Sequence, residues 1–166
     1  MDTKVHPEGF FHLEVIRNGT VVNDLTFPNG STTQGRNYLL DAGFRNSGTT
    51  SNWYIGLIDS DGFSALDAAD TASSHGGWDE FTAYDESARQ AWNKSAASAG
   101  TMNASSASSF TVGAVGAGTF LQGAFITSAS AKSATTGVLW ATGEFPAEIP
   151  VQEGDIINIT YYTSLT

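Results

Sequence analysis

Short segments that alternate apolar and polar residues, separated by turn-forming residues, recur along this chain. The clearest pair flanks Asn18-Gly19, where Phe11, Leu13 and Val15 alternate with polar residues before the turn and a second apolar run follows it. Alternation with a period of two places the apolar side chains on one face of a strand, and Asn-Gly between two such runs is typical of a type I′ hairpin. Residues 10–27 are therefore predicted to form two antiparallel strands.

Further strand-like runs follow at short intervals. They lie at residues 53–58, 79–84, 89–92, 110–112, 119–127, 137–145 and 155–162. A short helix closed by glycine is predicted at residues 32–44, and residues 66–73 suit one or two helical turns. About nine short strands separated by Gly, Asn, Asp and Ser favour an all-β fold, an antiparallel β-sandwich that is jelly-roll-like, with one or two short helices. A closed barrel is the structural alternative.

The length of the chain suits one domain with its own core. With 166 residues, two separately cored domains are not expected. We predict an N-terminal arm at residues 1–9 and a single β-sandwich domain at residues 10–166, in which the Ala/Ser-rich stretch 95–109 is a long connection or a set of edge strands. The sequence has no cysteine, so packing alone must stabilise the domain. We expect no secretory signal and no membrane partner, since no apolar stretch approaches a membrane span.

The sequence is strongly acidic. Seven Lys and Arg stand against 17 Asp and Glu, which gives a formal net charge of −10. Such a chain repels phosphate backbones, and its basic residues form no run, so direct binding to nucleic acid is not expected. Eight acidic residues lie between Arg45 and Arg89, with no Lys or Arg among them. This stretch is predicted to form exposed acidic loops.

The residues that could serve catalysis or metal binding form no recognisable motif. His6, His12 and His75 form no His-x-x-x-His pair and have no Glu at metalloprotease spacing, and His12 alternates with apolar neighbours, which favours a structural role on a strand. Ser74-His75 near several Asp suggests a hydrolase, but the sequence has no Gly-x-Ser-x-Gly. The adjacent carboxylate pairs of the acidic stretch point to opposite faces of a strand. We therefore predict no enzyme, no metal and no cofactor.

The aromatic residues allow two interpretations. Exposed rings can form a platform for stacking sugars, whereas rings within strand-like runs are expected in the core. Core packing is favoured, because most of these residues lie within predicted strands. The residues concerned are Trp53, Tyr54, Trp78, Tyr84, Trp92 and Trp140.

An ordered series of short segments extends over residues 53–162. It comprises Ala68-Ala69-Asp70-Thr71, Ser74-His75-Gly76-Gly77-Trp78-Asp79-Glu80-Phe81, Tyr84-Asp85-Glu86, Arg89-Gln90-Ala91-Trp92, Gly123-Ala124-Phe125, Lys132, Gly137-Val138-Leu139-Trp140, and Gly154-Asp155 with Ile159-Thr160-Tyr161. As a set, these segments resemble a family of small structural proteins of tailed bacteriophages. The first third of the chain is similar more loosely. The family pattern contains no catalytic motif that can be carried over.

The resemblance implies a component of the virion. Small jelly-roll proteins of such phage heads cement or decorate the lattice of the major capsid protein, and we expect this function here. The implied partners are the major capsid protein and further copies of the chain, as a dimer or trimer. The implied location is the capsid surface of the virion, after synthesis in the cytoplasm of the bacterial host.

We expect contacts with the capsid or with other copies in three regions: the arm at residues 1–8, the helical and loop segment 66–78 and the connection 95–109. Small side chains allow close backbone approach, and an arm can add a strand to a neighbouring sheet edge. The alternative for each region is a mobile loop or a frayed terminus. The residues expected to make contact are Asp2, Thr3, Lys4, Val5, His6, Leu66, Ala69, His75, Trp78, Ala99 and Met102.

Two other function classes remain open. A tail-associated, receptor-binding or glycan-binding β-sandwich module would present aromatic residues and acidic loops to its ligand. An enzyme would lose turnover on His75→Ala. A cement protein is instead expected to bind regularly over the whole head.

Overall fold

Two antiparallel β-sheets packed face to face make up the protein. The computed structural model describes residues 7–166, and within this range it contains eleven strands and one helix. The predicted all-β antiparallel sandwich with a short helix is confirmed. The elements are β1 (Pro7–Arg17), β2 (Thr20–Pro28), β3 (Gly30–Ser31), α1 (Thr33–Arg45), β4 (Tyr54–Asp59), β5 (Glu80–Phe81), β6 (Gln90–Ala91), β7 (Thr101–Met102), β8 (Ser108–Thr111), β9 (Thr119–Thr127), β10 (Leu139–Val151) and β11 (Ile156–Leu165).

The first sheet, sheet I, has the strand order β2-β1-β11, and β7 and β8 share the far edge of β11. The hairpin between β1 and β2 turns at Asn18 and Gly19, whose φ angles of 50° and 77° both lie in the left-handed region. This is the type I′ geometry that the Asn-Gly sequence predicts. The first and last strands, β1 and β11, pair along almost their whole length in the middle of the sheet.

The second sheet, sheet II, has the order β3-β10-β9-β4, and β5 and β6 share the far edge of β4. Most of β9 is buried, because its inner face meets sheet I while Phe125 on its outer face packs against Trp78 and Leu139. Gly56 on β4 leaves room for this ring, since a Cβ there would lie 2.1 Å from a Phe125 ring atom. Sheet II therefore carries a second, smaller core on its outer face, and this core positions the loop that follows β4.

The main core lies between the sheets and is rich in aromatic rings. Phe11, Phe27 and Tyr161 are fully buried, and the centroid of the Phe11 ring lies 5.1 Å from Phe27 and 4.7 Å from Tyr161. Burying a phenylalanine side chain contributes about 1.5–3 kcal/mol. The indole N–H groups of Trp92 and Trp140 donate to the carbonyl and the hydroxyl of Tyr161, at 3.0 and 2.9 Å. Both tryptophans thus belong to the core, as the strand pattern favours.

The helix α1 is attached to sheet II through its first turn. Thr32 Oγ1 accepts a hydrogen bond from the Gly35 N–H at 2.9 Å, and the Thr32 hydroxyl donates to the carbonyl of Leu139 in β10. A Cβ at Gly35 would lie 2.5 Å from the Trp140 carbonyl oxygen, so glycine allows close approach of helix and sheet. The helix ends at Asn46, which adopts the left-handed conformation with a φ of 50°. The predicted helix at residues 32–44 is confirmed, but its predicted closure by glycine is wrong, because Gly43 lies within α1 and Asn46 caps the end.

The predicted helical turns at residues 66–73 are wrong. This segment forms turns and an antiparallel bridge between Thr71 and Ser74. The carboxylates of Asp67 and Asp70 accept hydrogen bonds from nearby backbone N–H groups, at 2.8 Å from Ala69 and 3.0 Å from Asp67. Aspartates that bind the local backbone compete with the hydrogen bonds of a helix, and here they stabilise the turns.

The strand β1 begins at Pro7, before the predicted start of the domain at residue 10. Its first residues pair with the end of β11, from Pro7 opposite Leu165 onward. Residues 7–9 of the predicted arm are therefore part of sheet I, because β11 is long enough to supply their backbone partners. The predicted contact residues Asp2, Thr3, Lys4, Val5 and His6 lie outside the described residues.

Candidate interaction surface

The predicted contact residues that the structure describes lie in separate places. Four belong to the loop between β4 and β5: Leu66, Ala69, His75 and Trp78. Ala99 lies in the turn before β7, where its φ is 50°, and Met102 lies in β7 at the edge of sheet I. Leu66, the His75–Trp78 pair and Met102 line three different cavities. The predicted residues thus do not form one surface.

His75 and Trp78 come together over the outer face of sheet II. Their rings stack with centroids 3.9 Å apart, and the His75 Nδ1–H donates to the Trp78 carbonyl oxygen at 3.0 Å. Trp78 is buried, and its indole N–H donates to the Asp70 carboxylate at 2.9 Å. Contacts among these three side chains therefore stabilise the loop between β4 and β5, which gives His75 a structural role.

A cavity of about 200 Å³ opens beside this pair, with a buried ion pair in its wall. Arg89 Nε and Nη2 donate to the two carboxylate oxygens of Glu80, each at 2.8 Å, and both side chains are only 4% exposed. Arg89 Nη1 donates to the Ala129 carbonyl, and Glu80 accepts from the Ser133 N–H. The charges of Arg89 and Glu80 neutralise each other within the protein, and the exposed carboxylate of Asp79 is the remaining acidic group in the lining.

The helix α1 exposes large apolar side chains along its C-terminal half. Phe44 is 87% exposed and Leu40 is 56% exposed, and Leu39 adjoins them. Leu40 and Phe44 are four residues apart, so their side chains are neighbours on one face of the helix. We call Leu39, Leu40 and Phe44 the α1 patch. Contiguous exposed apolar side chains of this size mark interaction surfaces.

The α1 patch continues into a small pocket between the helix and the two sheets, with a volume of about 150 Å³. Its rings meet edge to face, with centroids 5.2 Å apart for Tyr38 and Trp53 and 6.4 Å apart for Trp53 and Trp140. Leu39 lines the pocket and directly precedes Leu40 of the patch in α1, so patch and pocket adjoin through the helix. We call this the aromatic pocket and define it by Tyr38, Leu39, Trp53, Trp92, Met102 and Trp140. Together, patch and pocket are the α1 surface.

The α1 surface also concentrates positive charge. Three of the described Lys and Arg residues are engaged inside the protein: Arg17 with Asp155, Arg89 with Glu80, and Lys132 with the carbonyls of Thr82 and Tyr84. The other three, Arg36, Arg45 and Lys94, lie in α1 or next to the aromatic pocket. Arg36 donates to the Ser31 carbonyl at 2.7 Å, and Lys94 donates to the Ser51 carbonyl at 2.9 Å. Lys94 Nζ lies 5.6 Å from the centroid of the Trp92 ring, and Arg45 forms an exposed ion pair with Asp41 at 3.0 Å. This surface therefore combines apolar groups with basic ones in an acidic protein.

Sequence reasoning did not identify the α1 surface, although part of its signal was present. A helix over residues 32–44 places Leu40 and Phe44 on one face, and a helical wheel shows this pair. The aromatic pocket has no such signal, because Trp53, Trp92 and Trp140 come from three distant segments of the chain. Among the predicted contact residues within 7–166, Met102 alone lines the pocket.

Within residues 7–166, the structure contains no helix with the length and apolar character that a membrane span requires. Comparison with protein-family models, with curated proteins and with solved structures finds no match for this chain. The resemblance to structural proteins of tailed bacteriophages therefore stays a prediction.

Proposed function

We propose that this chain is a non-enzymatic structural protein of a bacteriophage virion, and specifically a capsid cement protein. In this proposal it binds the outside of the major capsid protein lattice, alone or as a dimer or trimer, and stabilises the head. The observation that carries the proposal is the α1 patch, an exposed apolar helix face on a β-sandwich.

The helix that carries the patch is held in place before any partner binds. Gln34 Oε1 accepts hydrogen bonds from the backbone N–H groups of Ala72 at 3.1 Å and Leu139 at 2.8 Å, and the Thr33 N–H donates to the Ala68 carbonyl at 2.8 Å. A surface that is already ordered loses little conformational freedom on binding. More of the contact energy then contributes to affinity.

The patch supplies the kind of contact that a lattice can multiply. Burial of one side chain such as Phe44 contributes about 1.5–3 kcal/mol, which is a weak interaction on its own. Contacts of one bound protein with neighbouring capsid subunits add through their high effective concentration. A protein that binds only the closed shell stabilises that shell, because opening must also break these contacts.

The charges indicate the chemistry of the partner surface. Arg36 lies on α1 and Lys94 lies over the Trp92 ring of the aromatic pocket, while Arg45 is already paired with Asp41 and the chain as a whole has a formal net charge of −10. Complementary charge steers association and sets orientation. The proposed partner surface is therefore apolar at its centre and acidic at its rim, and it meets the protein through α1 rather than through its acidic loops.

A second candidate function is a tail-associated module that binds a receptor or glycan, and the aromatic pocket favours it. Trp53 is only partly buried and forms an edge-to-face pair with Tyr38 at the pocket. Aromatic faces bind the apolar faces of sugars, and polar atoms at the rim then select among them. In this alternative the aromatic pocket, and not the α1 patch, is the primary contact.

The test is binding to heads of the phage that encodes the chain, combined with cryo-EM of its virions. We expect regular density over the head and saturable co-sedimentation of the purified protein with heads that lack it. Phe44→Asp and Leu40→Asp should each weaken binding at least tenfold, about 1.4 kcal/mol. The matched control is Val22→Asp, because Val22 lies on β2 and is 43% exposed outside the α1 surface.

Density confined to the tail contradicts the cement function. Equal binding by Phe44→Asp and Val22→Asp contradicts the role of the α1 patch. Binding of the isolated protein to glycans, abolished by Trp53→Ala and retained by Phe44→Asp, supports the second candidate instead.

A further inference from the structure

The outer face of sheet I brings three metal-ligating side chains together. His12 and Glu14 are two residues apart on β1 and therefore point to the same side of the sheet. Asp24 lies directly opposite Glu14 on the neighbouring strand β2, so it shares that face. One ligand atom from each of the three residues lies within 4.8 Å of the other two. Two strands of one sheet thus hold the set without a mobile loop.

The charges of this face favour a cation. Glu14 and Asp24 are like charges directly opposite each other across two strands, which destabilises a sheet unless a positive charge intervenes. The described strands β1, β2 and β11 contain one Lys or Arg, which is Arg17, and its guanidinium is bound to Asp155. His12 Nε2 lies 2.8 Å from Asp24 Oδ1 and is the nearest group that can offset the two carboxylates.

A hydroxyl on the adjacent strand adds a polar group beside His12. Thr160 of β11 lies opposite His12, on the same face of sheet I. Its Oγ1 is buried and has no hydrogen-bond partner among the described residues. Histidines that bind metals commonly donate their second ring N–H to a neighbouring acceptor, which orients the ring. As the residue opposite His12 on β11, Thr160 is the one that would supply such an acceptor once an ion is bound.

We propose that His12, Glu14 and Asp24 form a binding site for a divalent transition cation of the zinc class. One imidazole and two carboxylates are the ligand types that Zn²⁺ takes, at about 2.0–2.2 Å, whereas Ca²⁺ needs six or more oxygen ligands. The solvent side of the face leaves room for water in the remaining positions, as at open zinc sites. The bound ion replaces the direct hydrogen bond between His12 and Asp24 and bridges the two opposed carboxylates.

This site does not depend on the proposed capsid function. It lies on β1 and β2 of sheet I, whereas the α1 surface lies at α1 and the aromatic pocket. Sequence reasoning assigned His12 a structural role, because its partners become visible only once β1 and β2 are paired in register.

The experiment is calorimetric titration of the full chain, without an affinity tag and stripped of metal by a chelator, with ZnCl₂. We expect one high-affinity equivalent of Zn²⁺ per chain and a higher melting temperature when the ion is present. Visible absorption bands of the Co²⁺-loaded protein report a site with nitrogen and oxygen ligands. His12→Ala, Glu14→Gln and Asp24→Asn should each weaken Zn²⁺ binding at least about tenfold.

The controls are His75→Ala and His6→Ala, which remove the other two histidines of the chain. Both should retain the wild-type affinity. The melting temperature of metal-free Glu14→Gln should equal or exceed that of the metal-free wild type, because the change removes the repulsion between Glu14 and Asp24. This measurement also shows that the variant folds. Absence of Zn²⁺ binding, binding retained by His12→Ala, or binding lost in His6→Ala or His75→Ala overturns the proposal.

Discussion

The buried ion pair between Arg89 and Glu80 is expected to hold the loops on the outer face of sheet II, and a substitution that breaks it tests this role. The perturbation is Arg89→Met, which keeps the length of the side chain but removes its charge. In the native structure the guanidinium donates two hydrogen bonds to Glu80 and one to the Ala129 carbonyl. It also lies 5.1 Å from the centroid of the Phe125 ring. The substitution therefore loses charge pairing but keeps most of the apolar contact.

The size of the effect follows from what remains around Glu80. Its side chain is 4% exposed, and without Arg89 its carboxylate keeps the Ser133 N–H as its hydrogen-bond donor. Breaking a buried ion pair on one side costs about 3–5 kcal/mol, because the remaining charge is left without compensation. Domains of this kind have a total stability of about 5–15 kcal/mol. Arg89→Met is therefore expected to remove a large part of the free energy of unfolding.

Urea unfolding monitored by tryptophan fluorescence measures this free energy. The control is Arg45→Met, which removes an exposed ion pair with Asp41 and should cost less than about 1 kcal/mol. The double variant Glu80→Leu/Arg89→Met removes both charges, so it should recover most of the stability lost in Arg89→Met. The reasoning is refuted if Arg89→Met costs no more than Arg45→Met, or if the double variant is no more stable than Arg89→Met.

Three further predictions concern single side chains. Burial raises the pKa of Asp155, but the hydrogen bond from Arg17, a backbone N–H and the attraction of the guanidinium outweigh it and hold the pKa below its ordinary value of 3.8. The Asp155 carboxylate therefore stabilises the fold above pH 3.8, and this contribution is lost as the pH falls through the lowered pKa. In urea unfolding, the stability of Asp155→Asn should depend less on pH between neutral and acidic solution than that of the wild type. Thr32→Ala removes the N-cap of α1 and should lower the free energy of unfolding by about 0.5–2 kcal/mol. Thr32→Ser keeps the capping hydroxyl and should retain most of the wild-type stability, so equal losses in the two variants would contradict the cap. Gly56→Ala places a methyl group against the Phe125 ring, so it should reduce the free energy of unfolding by about 1–3 kcal/mol and lower the melting temperature. An unchanged melting temperature would show that the ring moves aside at no cost.

The candidate surface was only partly visible in the sequence. Residues 66–78 attracted attention for their histidine, tryptophan and carboxylates, yet in the fold these groups bind one another and the local backbone. The exposed Leu40 and Phe44 received no role, because helical spacing alone does not show which side of a helix meets the sheet. That choice depends on Gly35, whose missing side chain turns one side of α1 toward Trp140 and leaves the other in solvent.

The sequence by itself determined the long strands, the helix α1 and the all-β fold class, since these depend on local chemistry, whereas the helical turns predicted at residues 66–73 were wrong. Alternation set the strand faces, Asn18-Gly19 set the hairpin, and the residues around Thr32 set the start of the helix. The tertiary structure alone decided which side chains meet. The aromatic pocket gathers residues from distant segments, and the His12, Glu14 and Asp24 cluster requires β1 and β2 in one register. The reason is physical: turns and strand faces depend on neighbours within a few residues, whereas pockets and ligand sets depend on long-range pairing of strands, which a periodic pattern does not specify.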